Sequence, residues 1–584
     1  MIPLQEFQKR PRVLVVGEGL TALEAAFQLI AFGYELLLVY PEVEVQKVHS
    51  LLLEDQDFPG YARDLAEKLK TQAKFSFFPE TQVRSVTGFA GDFEVRLKSP
   101  QREWDESVGA IILAPELVSK GMFASGSLSP SRQIVTQEQL VGELSAPSGA
   151  VRCIDSLTAL SYAAFLIGLN GAGGAADMAQ ALKSAVILRE KFEVQVYFFT
   201  GNVKVAEEGL ERLYLDCRDA GVVFFKLDEE KLELLKNGDQ VTLQFIDPLL
   251  GQPFELTPDL LVIDSRPTLP SEMQSLAVSA QLGMDQAGYL QSGNVHLWPQ
   301  GLDRTGILAA GPGKGPLMVL TAIEEGRGAA LAVHRFFQGS PLETLNREVL
   351  VDTGLCTLCL TCLRFCPHQA IGWTHRIFIH PLACRRCGIC ASECPMDAIQ
   401  IAGYSDPEVE QGLLLISGRW EKTAAGEPRI VVFGCERSAG VAWAEARGEG
   451  RRAQGEKNGS VEFIGLPCAG KLDPDFLLKA LSLGADGVLV LACPEENCRS
   501  NHGNTYARLR LTEAREYLEE AGIDGRRLRF ENISSNRVYF LNEVLQDFMQ
   551  SLNGAEGRAS AEHENKALQK DELLIINNQL SIIN

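Results

Sequence analysis

Eight of the fourteen cysteines fall into two runs with the spacing C-x2-C-x2-C-x3-C-P, and this pattern constrains the chain more than any other feature. Two-residue gaps let one loop place three thiolates around an iron–sulfur cubane, while the fourth cysteine of the run, which we expect to begin a helix, binds the other cluster. The spacing therefore predicts a two-cluster ferredoxin domain. One [4Fe–4S] cluster would be held by Cys356, Cys359, Cys362 and Cys394, and the other by Cys384, Cys387, Cys390 and Cys366.

Zinc sites and buried free thiols are the alternatives for these cysteines. Zinc would explain one four-cysteine site, but not two runs that share a following proline, Pro367 and Pro395, and similar residues beyond it. We find no general acid, general base or substrate pocket in this block, so no catalytic residue is predicted there. The nearby histidines are expected to be hydrogen-bonded or exposed, and these are His368, His375 and His380.

The remaining composition bounds the class of protein. A length of 584 residues is too great for one core and indicates several domains. The formal net charge of −21 argues against nucleic-acid binding, because phosphate recognition needs a basic surface. We find no secretory signal and no run of about 18 apolar residues. These features predict a cytoplasmic protein that would reach a membrane only through a partner, with Cys153 and Cys217 as structural thiols.

The first forty residues show a strand, a glycine turn, a helix and a second strand. The turn contains Gly17, Gly19 and Thr21, and glycines at such a place let the backbone approach a pyrophosphate at a helix N-terminus. Glu42, shortly after the second strand, is the candidate ribose partner, although an exposed loop carboxylate is the alternative. The pattern predicts a dinucleotide-binding turn in a Rossmann-like α/β domain.

A second βαβ unit follows, with a glycine turn formed by Gly171, Gly173 and Gly174. No acidic residue ends its second strand, so close packing between helix and strand explains these glycines at least as well as a nucleotide does. The last third of the chain shows three short apolar strands, each ending on or next to a cysteine and separated by helical stretches. That alternation indicates an α/β domain with a parallel sheet.

The order of these parts resembles the A subunit of heterodisulfide reductase over most of residues 10–405. The likeness lies in residues 83–97, 181–224 and 306–333, in addition to the cysteines. The resemblance implies a flavoprotein domain that binds FAD, with Gly311 in its closing segment as a further flavin contact. The sequence departs from this family where the flavoprotein's Ala-Thr-Gly strand end becomes Ala114, Pro115 and Glu116.

Residues 430–530 resemble the delta subunit of methyl-viologen-reducing hydrogenase. The motifs VVFGCERSAG, IGLPCAG and LACPEENCRSNHG carry this likeness. The family implies a [2Fe–2S] centre that links a hydrogenase or dehydrogenase to heterodisulfide reductase, with the candidate ligands Cys435, Cys468, Cys493 and Cys498. Parallel strands that end at one sheet edge could gather these thiolates. The alternative is a set of buried structural cysteines in a docking domain without a cluster.

These likenesses predict the domain order. We expect the FAD domain in residues 1–125 and 266–345, the second βαβ domain in 126–265, the ferredoxin domain in 346–405, the delta-subunit-like domain in 425–552 and a polar tail in 553–584. The same fusion resembles the B subunit of the quinone-interacting membrane-bound oxidoreductase, and similar fusions occur in other complexes of anaerobes.

Three hypotheses of function follow. The first is an iron–sulfur flavoprotein subunit that transfers electrons between a flavin, two [4Fe–4S] clusters and a C-terminal port to a partner oxidoreductase, and that works only within a complex. The second is a self-contained NAD(P)H-dependent oxidoreductase, which would need the second glycine turn as a nucleotide site. The third is a flavin-free scaffold, suggested by the altered strand end at Glu116.

Overall fold

The structure is a computed structural model in which the chain divides into two compact units, Met1–Gly339 and Ser340–Asn584. It describes residues 10–40, 58–121, 131, 133–145, 157–169, 174–291, 299–338, 349–420, 428–447 and 461–553, except for residues 204, 208, 228, 238, 239, 248, 249 and 496. Glu42, Cys153, Gly171, Gly173 and the tail from residue 554 lie outside the described residues.

The first unit contains two parallel sheets and smaller antiparallel ones. Its strands are β1 (Arg12–Gly17), β2 (Glu35–Tyr40), β3 (Phe75–Pro79), β4 (Gln82–Phe89), β5 (Asp92–Lys98), β6 (Glu103–Val108), β7 (Ala110–Ala114), β8 (Val118–Gly121), β9 (Ile134–Thr136), β10 (Tyr162–Leu166), β11 (Gln195–Thr200), β12 (Val223–Lys226), β13 (Leu232–Asn237), β14 (Gln240–Ile246), β15 (Pro253–Leu256), β16 (Leu260–Ile263), β17 (Ser265–Thr268) and β18 (Ile307–Ala309). Its helices are α1 (Gly19–Ala31), α2 (Phe58–Lys70), α3 (Gln137–Ser145), α4 (Ala175–Phe192), α5 (Leu210–Asp219), α6 (Ser271–Ser279) and α7 (Val319–Gln338).

The first parallel sheet has the strand order β18–β7–β1–β2–β3. Its central strands β1 and β7 are apolar along nearly their whole length, as expected when both faces of a parallel sheet are covered. Helices α1, α2 and α7 contribute to the core on this sheet. By contrast, β5 alternates buried and exposed residues, because the antiparallel sheet β4–β5–β6 has one wet face. The predicted Rossmann-like, multidomain α/β fold is confirmed.

The second parallel sheet has the order β12–β11–β10–β16–β9 and shares a core with the antiparallel sheet β13–β14–β15. Phe165 and Phe198 stack on its other face with ring centroids 5.6 Å apart. Cys217 lies fully buried in the same core as these two rings, and its thiol donates to the Leu182 carbonyl at 3.2 Å. Burial raises the pKa of Cys217 to about 12, so this thiol stays protonated and packs as an apolar group.

The second unit contains the ferredoxin module and a C-terminal α/β domain. Its strands are β19 (Val349–Val351), β20 (Ile371–Trp373), β21 (Ile377–Ile379), β22 (Ile399–Ile401), β23 (Ile430–Cys435), β24 (Val461–Leu466), β25 (Gly487–Ala492) and β26 (Leu528–Asn532). Its helices are α8 (Thr361–Phe365), α9 (Ile389–Ser392), α10 (Asp406–Trp420), α11 (Ala439–Arg447), α12 (Pro474–Ser482), α13 (Gly503–Glu520) and α14 (Val538–Asn553). Among the described helices, none has the length and apolar character needed to cross a bilayer.

The two halves of the second unit have different sheets. The ferredoxin module is built on two small antiparallel pairs, β19–β22 and β20–β21. The C-terminal domain has one parallel sheet with the order β24–β23–β25–β26. Strands β23 and β25 are buried throughout. Because β24, β23 and β25 are parallel neighbours, their carboxyl ends meet at one edge of the sheet.

An ion pair between Glu24 and Arg327 connects α1 with α7 in the first unit. Glu24 is 1% exposed and accepts from Arg327 Nε at 2.8 Å, from the Tyr61 hydroxyl at 2.7 Å and from Gln28 at 2.9 Å. Burial acts to raise the pKa of Glu24, but the hydrogen bonds from Arg327, Gln28 and Tyr61 outweigh it and lower the pKa below its ordinary value. The carboxylate is thus held charged inside the helix pair.

We expect Glu24→Gln to lower the free energy of unfolding by about 1–3 kcal/mol at pH 7, because a buried charge-assisted network loses its acceptor. A carboxyl with a lowered native pKa stabilises the fold above its unfolded pKa, and this contribution is lost as pH falls through the native pKa. The difference between variant and wild type should therefore shrink as the pH is lowered through that range in urea unfolding. Glu324→Gln is the control, since Glu324 is 69% exposed and pairs with the same Arg327. Equal losses in the two variants would contradict the prediction.

Candidate functional site

Each predicted set of ferredoxin cysteines surrounds a cavity of its own. One cavity is lined by Cys366, Cys384, Cys387 and Cys390. The other is lined by Cys356, Cys359, Cys362 and Cys394. The fourth cysteine of each run thus lies with the first three of the other run. We call these the Cys384 cavity and the Cys356 cavity.

The backbone around the two cavities follows the same path. In the first run, Leu358, Leu360 and Gln369 have φ angles of 58°, 61° and 46°. The equivalent residues of the second run, Arg386, Gly388 and Asp397, have φ angles of 53°, 87° and 49°. A left-handed backbone is costly for residues other than glycine and persists where surrounding structure demands it. Here it lets the chain curl tightly enough for three cysteines to face one cavity.

Backbone amides also point at the sulfurs. Ala370 N–H donates to Cys366 Sγ at 3.3 Å, and Ala398 N–H donates to Cys394 Sγ at the same distance. Arg386 N–H donates to Cys384 Sγ at 3.4 Å. Amide donors stabilise a thiolate, and thiolates are the form in which cysteine binds metal. These repeated contacts are suited to two sites that carry negative sulfur.

The thiols of the Cys384 cavity are buried strongly enough to resist ionisation without a cation. Burial raises the pKa of Cys384 to about 11 and that of Cys387 to about 12. Iron would compensate the buried thiolates, so the residues fit an iron–sulfur group. Within the described ranges, no three His, Cys, Asp or Glu side chains converge on a point as the ligands of one metal ion would. In a cubane each cysteine binds a different iron, so cluster ligands need not converge.

The prediction that the fourth cysteine of each run begins a helix is wrong. Helices α8 and α9 instead run through the third cysteines, Cys362 and Cys390, and end just before Cys366 and Cys394. A proline follows each fourth cysteine, and the residue before a proline is pushed out of the helical conformation. Accordingly, Cys366 has φ −71° and ψ 106°, which is extended.

The four C-terminal cysteines are brought together at the edge of the parallel sheet. Cys435 ends β23, Cys468 and Cys493 follow β24 and β25, and Cys498 lies in the loop before α13. All four are buried, and Cys493 Sγ lies 3.6 Å from Cys435 Sγ. The single cysteine at the end of the first strand is therefore sufficient for a four-thiol site, which we call the C-terminal thiol site.

The C-terminal thiol site contains two hydrogen-bonded pairs, Cys435 with Cys493 and Cys468 with Cys498, and a further hydrogen bond between Cys493 and Cys498 joins the pairs. The bond from Cys493 lowers the pKa of Cys435 to about 7 and raises the pKa of Cys493. The bond between Cys468 and Cys498 lowers the pKa of Cys498 and raises the pKa of Cys468. One thiol of each pair is thus inclined to ionise while its partner keeps a proton. Four buried sulfurs in contact, half of them inclined to be anionic, fit a bound metal centre.

The Cys384 cavity and the C-terminal thiol site share one hydrophobic core. Cys387 and Ile389 pack in the same cluster as Cys435, Cys468, Cys493 and Cys498. Ser392 donates to the Lys471 carbonyl at 2.7 Å, and a Cβ on Gly388 would lie 2.7 Å from Lys471 Cβ. The ferredoxin module is therefore packed directly on the loop that carries Cys468.

The structure differs from the expectation that every histidine of this region is hydrogen-bonded or exposed. His375 is exposed, but His368 is 3% exposed, and its Nε2 has no hydrogen-bond partner in the described part of the chain. His368 also lines the Cys384 cavity. The sequence did contain a signal for this histidine. His368 directly follows Cys366 and Pro367, at the position that Met396 occupies in the duplicated run, and this places it next to a predicted cluster ligand.

The predicted nucleotide turn has the backbone that a dinucleotide needs. Gly17 has a φ of 145° and Gly19 a φ of 75°, and a Cβ on Gly17 would lie 1.9 Å from the Ala114 carbonyl oxygen. Thr21 and Gly311 meet at the same place, because a Cβ on Gly311 would lie 2.4 Å from Thr21 Oγ1. The structure therefore brings together every predicted flavin contact that lies in the described residues.

One side chain at this turn does not fit a pyrophosphate. A Cβ on Gly19 would lie 2.1 Å from Glu116 Oε1, so the Glu116 carboxyl rests against the turn. Glu116 is half-buried, and it lines a cavity that Glu18 and Glu272 also line. Burial, and next the charge of Glu18, raise the pKa of Glu116 to about 7. A carboxylate here would repel phosphate, whereas the neutral acid would not.

The second glycine turn offers less for a nucleotide. Gly174 precedes α4, and its amide donates to Asp177 Oδ2 at 3.0 Å. A Cβ added to Gly174 would lie 2.7 Å from Pro316 Cβ. The amide that a phosphate would use is already bonded. Close packing is therefore the role that the structure shows for this glycine.

Comparison with known proteins identifies two family matches within the second unit. The family described as methyl-viologen-reducing hydrogenase, delta subunit, matches residues 430–555, and the 4Fe-4S binding domain matches residues 377–400. The second match contains the second cysteine run only. It establishes a 4Fe-4S binding domain in the chain, on the run that forms most of the Cys384 cavity.

Among relatives, the A subunit of the ferredoxin:CoB-CoM heterodisulfide reductase of Methanosarcina mazei is 24% identical over 376 residues, which are 64% of this chain and 46% of that protein. The chain thus spans less than half the length of this relative. The thioredoxin reductase of T. acidophilum is 14% identical, with a TM-score of 0.39 and coverage of 56% of this chain and 98% of that one.

A third relative matches the C-terminal domain. The iron-sulfur D subunit of the F420-non-reducing hydrogenase of Methanococcus voltae is 34% identical over 110 residues, covering 19% of this chain and 74% of that protein. The family match over residues 430–555 contains the C-terminal thiol site. Through this domain the chain belongs to the family of methyl-viologen-reducing hydrogenase delta subunits, here joined to a region similar to the A subunit of heterodisulfide reductase.

Proposed function

We propose that this chain is an electron-transfer oxidoreductase subunit with two [4Fe–4S] clusters in the ferredoxin module and a [2Fe–2S] centre at the C-terminal thiol site. One observation carries the proposal. Cys387 of the Cys384 cavity packs in a single water-excluding core with all four cysteines of the C-terminal thiol site. Two candidate redox sites that share a core can exchange electrons through the packed interior of the protein.

The proposed ligands are the twelve cysteines of the three sets. Iron–sulfur clusters accept and release single electrons, and a flavin accepts or releases two. The chain's own residues would hold the sulfurs in place, shield them from water and supply the hydrogen-bond donors around them. Lys471, which is fully buried, bonds Asp406 at 2.5 Å, and Arg510 bonds Glu393. These contacts keep the C-terminal thiol site at a fixed place beside the ferredoxin module.

The chain would act within a complex similar to heterodisulfide reductase. The delta-subunit domain belongs to a family whose named relatives are hydrogenase subunits, so we infer that it is the port to a partner oxidoreductase. The named relatives of the remaining region are heterodisulfide reductase subunits, which favours a second partner of that class. A cytoplasmic location, with membrane contact only through a partner, belongs to the same proposal.

FAD at the first glycine turn is part of the proposal, with Gly17, Gly19, Thr21 and Gly311 as its contacts and Glu42 as ribose partner. The position of Glu116 supports a second candidate function, in which the first unit holds no flavin and serves as a scaffold. The two candidates differ in one measurable property, the FAD content of the purified chain.

Cysteine variants test the crossed ligand sets. We expect about ten irons per chain purified without oxygen, and about two fewer in Cys435→Ser with Cys493→Ser. Cys394→Ser should alter the same EPR signal as Cys356→Ser, while Cys366→Ser should alter the signal that depends on Cys384. The thiol of Cys217 is outside every set, so Cys217→Ala should retain all the iron. Pairing of Cys394 with its own run would contradict the ligand sets.

Gly503, the first residue of α13, tests the C-terminal thiol site. A Cβ there would lie 2.4 Å from Cys468 Sγ and 3.4 Å from Cys498 Sγ. We expect Gly503→Ala to displace a thiol, to lose the iron of this site and to destabilise the chain by about 1–3 kcal/mol. Gly418→Ala in α10 is the control, since its Cβ meets nothing within 4 Å and helix propensity predicts a gain of about 0.5–1 kcal/mol. Full iron content in Gly503→Ala would sink the assignment.

Glu116 tests the flavin. If its carboxylate repels the pyrophosphate, FAD should bind more tightly at about pH 6 than at about pH 8, because the group with a pKa of about 7 is neutral below that pH. Glu116→Gln should abolish this dependence and retain FAD on the alkaline side, as measured by flavin fluorescence after desalting. Glu272→Gln is the control, as it lines the same cavity on α6. No FAD in any variant at either pH would favour the scaffold.

A further inference from the structure

His368 and Met396 occupy equivalent places in the duplicated ferredoxin module. Each follows a Cys–Pro pair, and each lines one cavity, His368 the Cys384 cavity and Met396 the Cys356 cavity. The backbone is the same at both places, as the left-handed residues Gln369 and Asp397 show. The module is thus nearly symmetric in its backbone, but only one of its halves carries a side chain with an N–H donor at this position.

The His368 ring is buried, and its Nε2 atom lacks a hydrogen-bond partner among the described residues. The residue is 3% exposed, and Nε2 has no hydrogen-bond partner in the described residues. A buried polar atom without a partner costs about 1–3 kcal/mol, and in native proteins nearly all such atoms are paired. An unpaired nitrogen on a residue that lines a cavity therefore indicates a partner that occupies the cavity.

The surroundings restrict what that partner can be. Apart from its four cysteines and Arg386, the lining of the Cys384 cavity beside His368 is apolar or backbone. The groups that act electrostatically on the ring are Cys498 and three arginines, namely Arg385, Arg437 and Arg499. Arginine has no acceptor, so it cannot receive a proton from Nε2–H. None of these arginines donates to Nε2 in the described structure either. Sulfur is the acceptor that remains among these side chains, so the tautomer with the proton on Nε2 is the one that gains a partner.

We propose that His368 Nε2–H donates a hydrogen bond to a sulfur of the iron–sulfur group held by Cys366, Cys384, Cys387 and Cys390, and so raises its reduction potential above that of the group in the Cys356 cavity. This inference rests on the proposed function, because it requires clusters at these cysteines. Hydrogen bonds to sulfur stabilise the more negative, reduced state and are among the factors that set cluster potentials. His368 would tune the potential of this group through the hydrogen bond, without being one of its ligands.

The consequence is a direction for electrons. The group beside the C-terminal thiol site becomes the better acceptor of the two, because its counterpart, beside Met396, lacks the donor. Reducing equivalents would then reside next to Cys387 and Cys498, on the side of the delta-subunit domain. One side chain thereby converts a symmetric pair of sites into an ordered one.

Substitution of His368 by its own counterpart tests the inference. We expect His368→Met to lower the reduction equilibrium constant of one cluster by at least tenfold, which is about 59 mV for one electron, in an EPR-monitored potentiometric titration of the full chain. The shifted signal should be the one that Cys384→Ser alters. His368→Gln, which keeps an N–H donor, should restore part of the shift. Met396→Leu is the matched control and should move neither potential, since no donor is gained or lost.

The readouts separate this inference from the proposed function. Wild-type chain without reducible clusters would overturn the function itself. His368→Met with full iron and unchanged potentials, or with a shift confined to the C-terminal centre, would overturn the role of His368 alone. If the variant loses iron, wild-type chain labelled with ¹⁵N-histidine decides, because pulsed EPR of the reduced cluster should then show a histidine nitrogen coupling. Absence of that coupling would equally overturn the inference.

Discussion

The proposed path between the iron–sulfur sites depends on one contact within the second unit. Gly388 and the start of α9 lie against the 3₁₀ turn Ala469–Lys471, and the fit depends on the missing side chain of Gly388. Lys471 is buried completely at this contact, and its ammonium is paired with Asp406 and lies 4.8 Å from the centre of the Phe476 ring. A buried cation is tolerated only when it is paired, so removal of either partner would leave a costly charge in the core. The ferredoxin module and the C-terminal sheet are in this way one structural body.

Positively charged side chains lie near the buried sulfurs of the second unit. The chain carries a net charge of −21, yet Arg385, Arg437 and Arg499 all lie close enough to His368 to act on it electrostatically, as Cys498 does. Burial, and next their mutual repulsion, lower the pKa of Arg499 to about 10. Such a grouping is unfavourable by itself, and it becomes reasonable beside sulfur sites that carry negative charge when metal is bound. The arrangement of cations thus agrees with thiolates at both neighbouring sites.

In the first unit, the backbone of the glycine turn suits a dinucleotide better than the surrounding side chains do. The glycines of the turn lie where phosphate requires close approach, but Glu116 rests on them from the end of β7. A carboxyl group in that place makes affinity depend on its proton. The flavin and scaffold hypotheses therefore differ in the state of one residue and not in the fold.

Much of this protein could be predicted from local sequence. The spacing of the cysteines predicted which four thiols surround each ferredoxin cavity, because two-residue gaps leave a loop few ways to curl and the duplicated runs exchange their fourth cysteine. Apolar strands separated by glycine turns and helices likewise predicted the parallel sheets, since both faces of such sheets are covered. The prediction that the fourth cysteine of each run begins a helix was wrong, because the proline that follows each of these cysteines disfavours helical backbone at Cys366 and Cys394.

What the sequence by itself determined is therefore local: the cysteine spacing, the glycine turn and the order of α/β elements. Tertiary structure alone decided three things. It placed Cys387 in one core with the C-terminal thiols, pressed Glu116 against Gly19, and enclosed His368 without a partner for Nε2 among the described residues. The physical reason is distance along the chain. Each of these contacts joins segments that are far apart in sequence or depends on enclosure by several elements, and burial by distant segments leaves no periodic or spacing signal in a sequence.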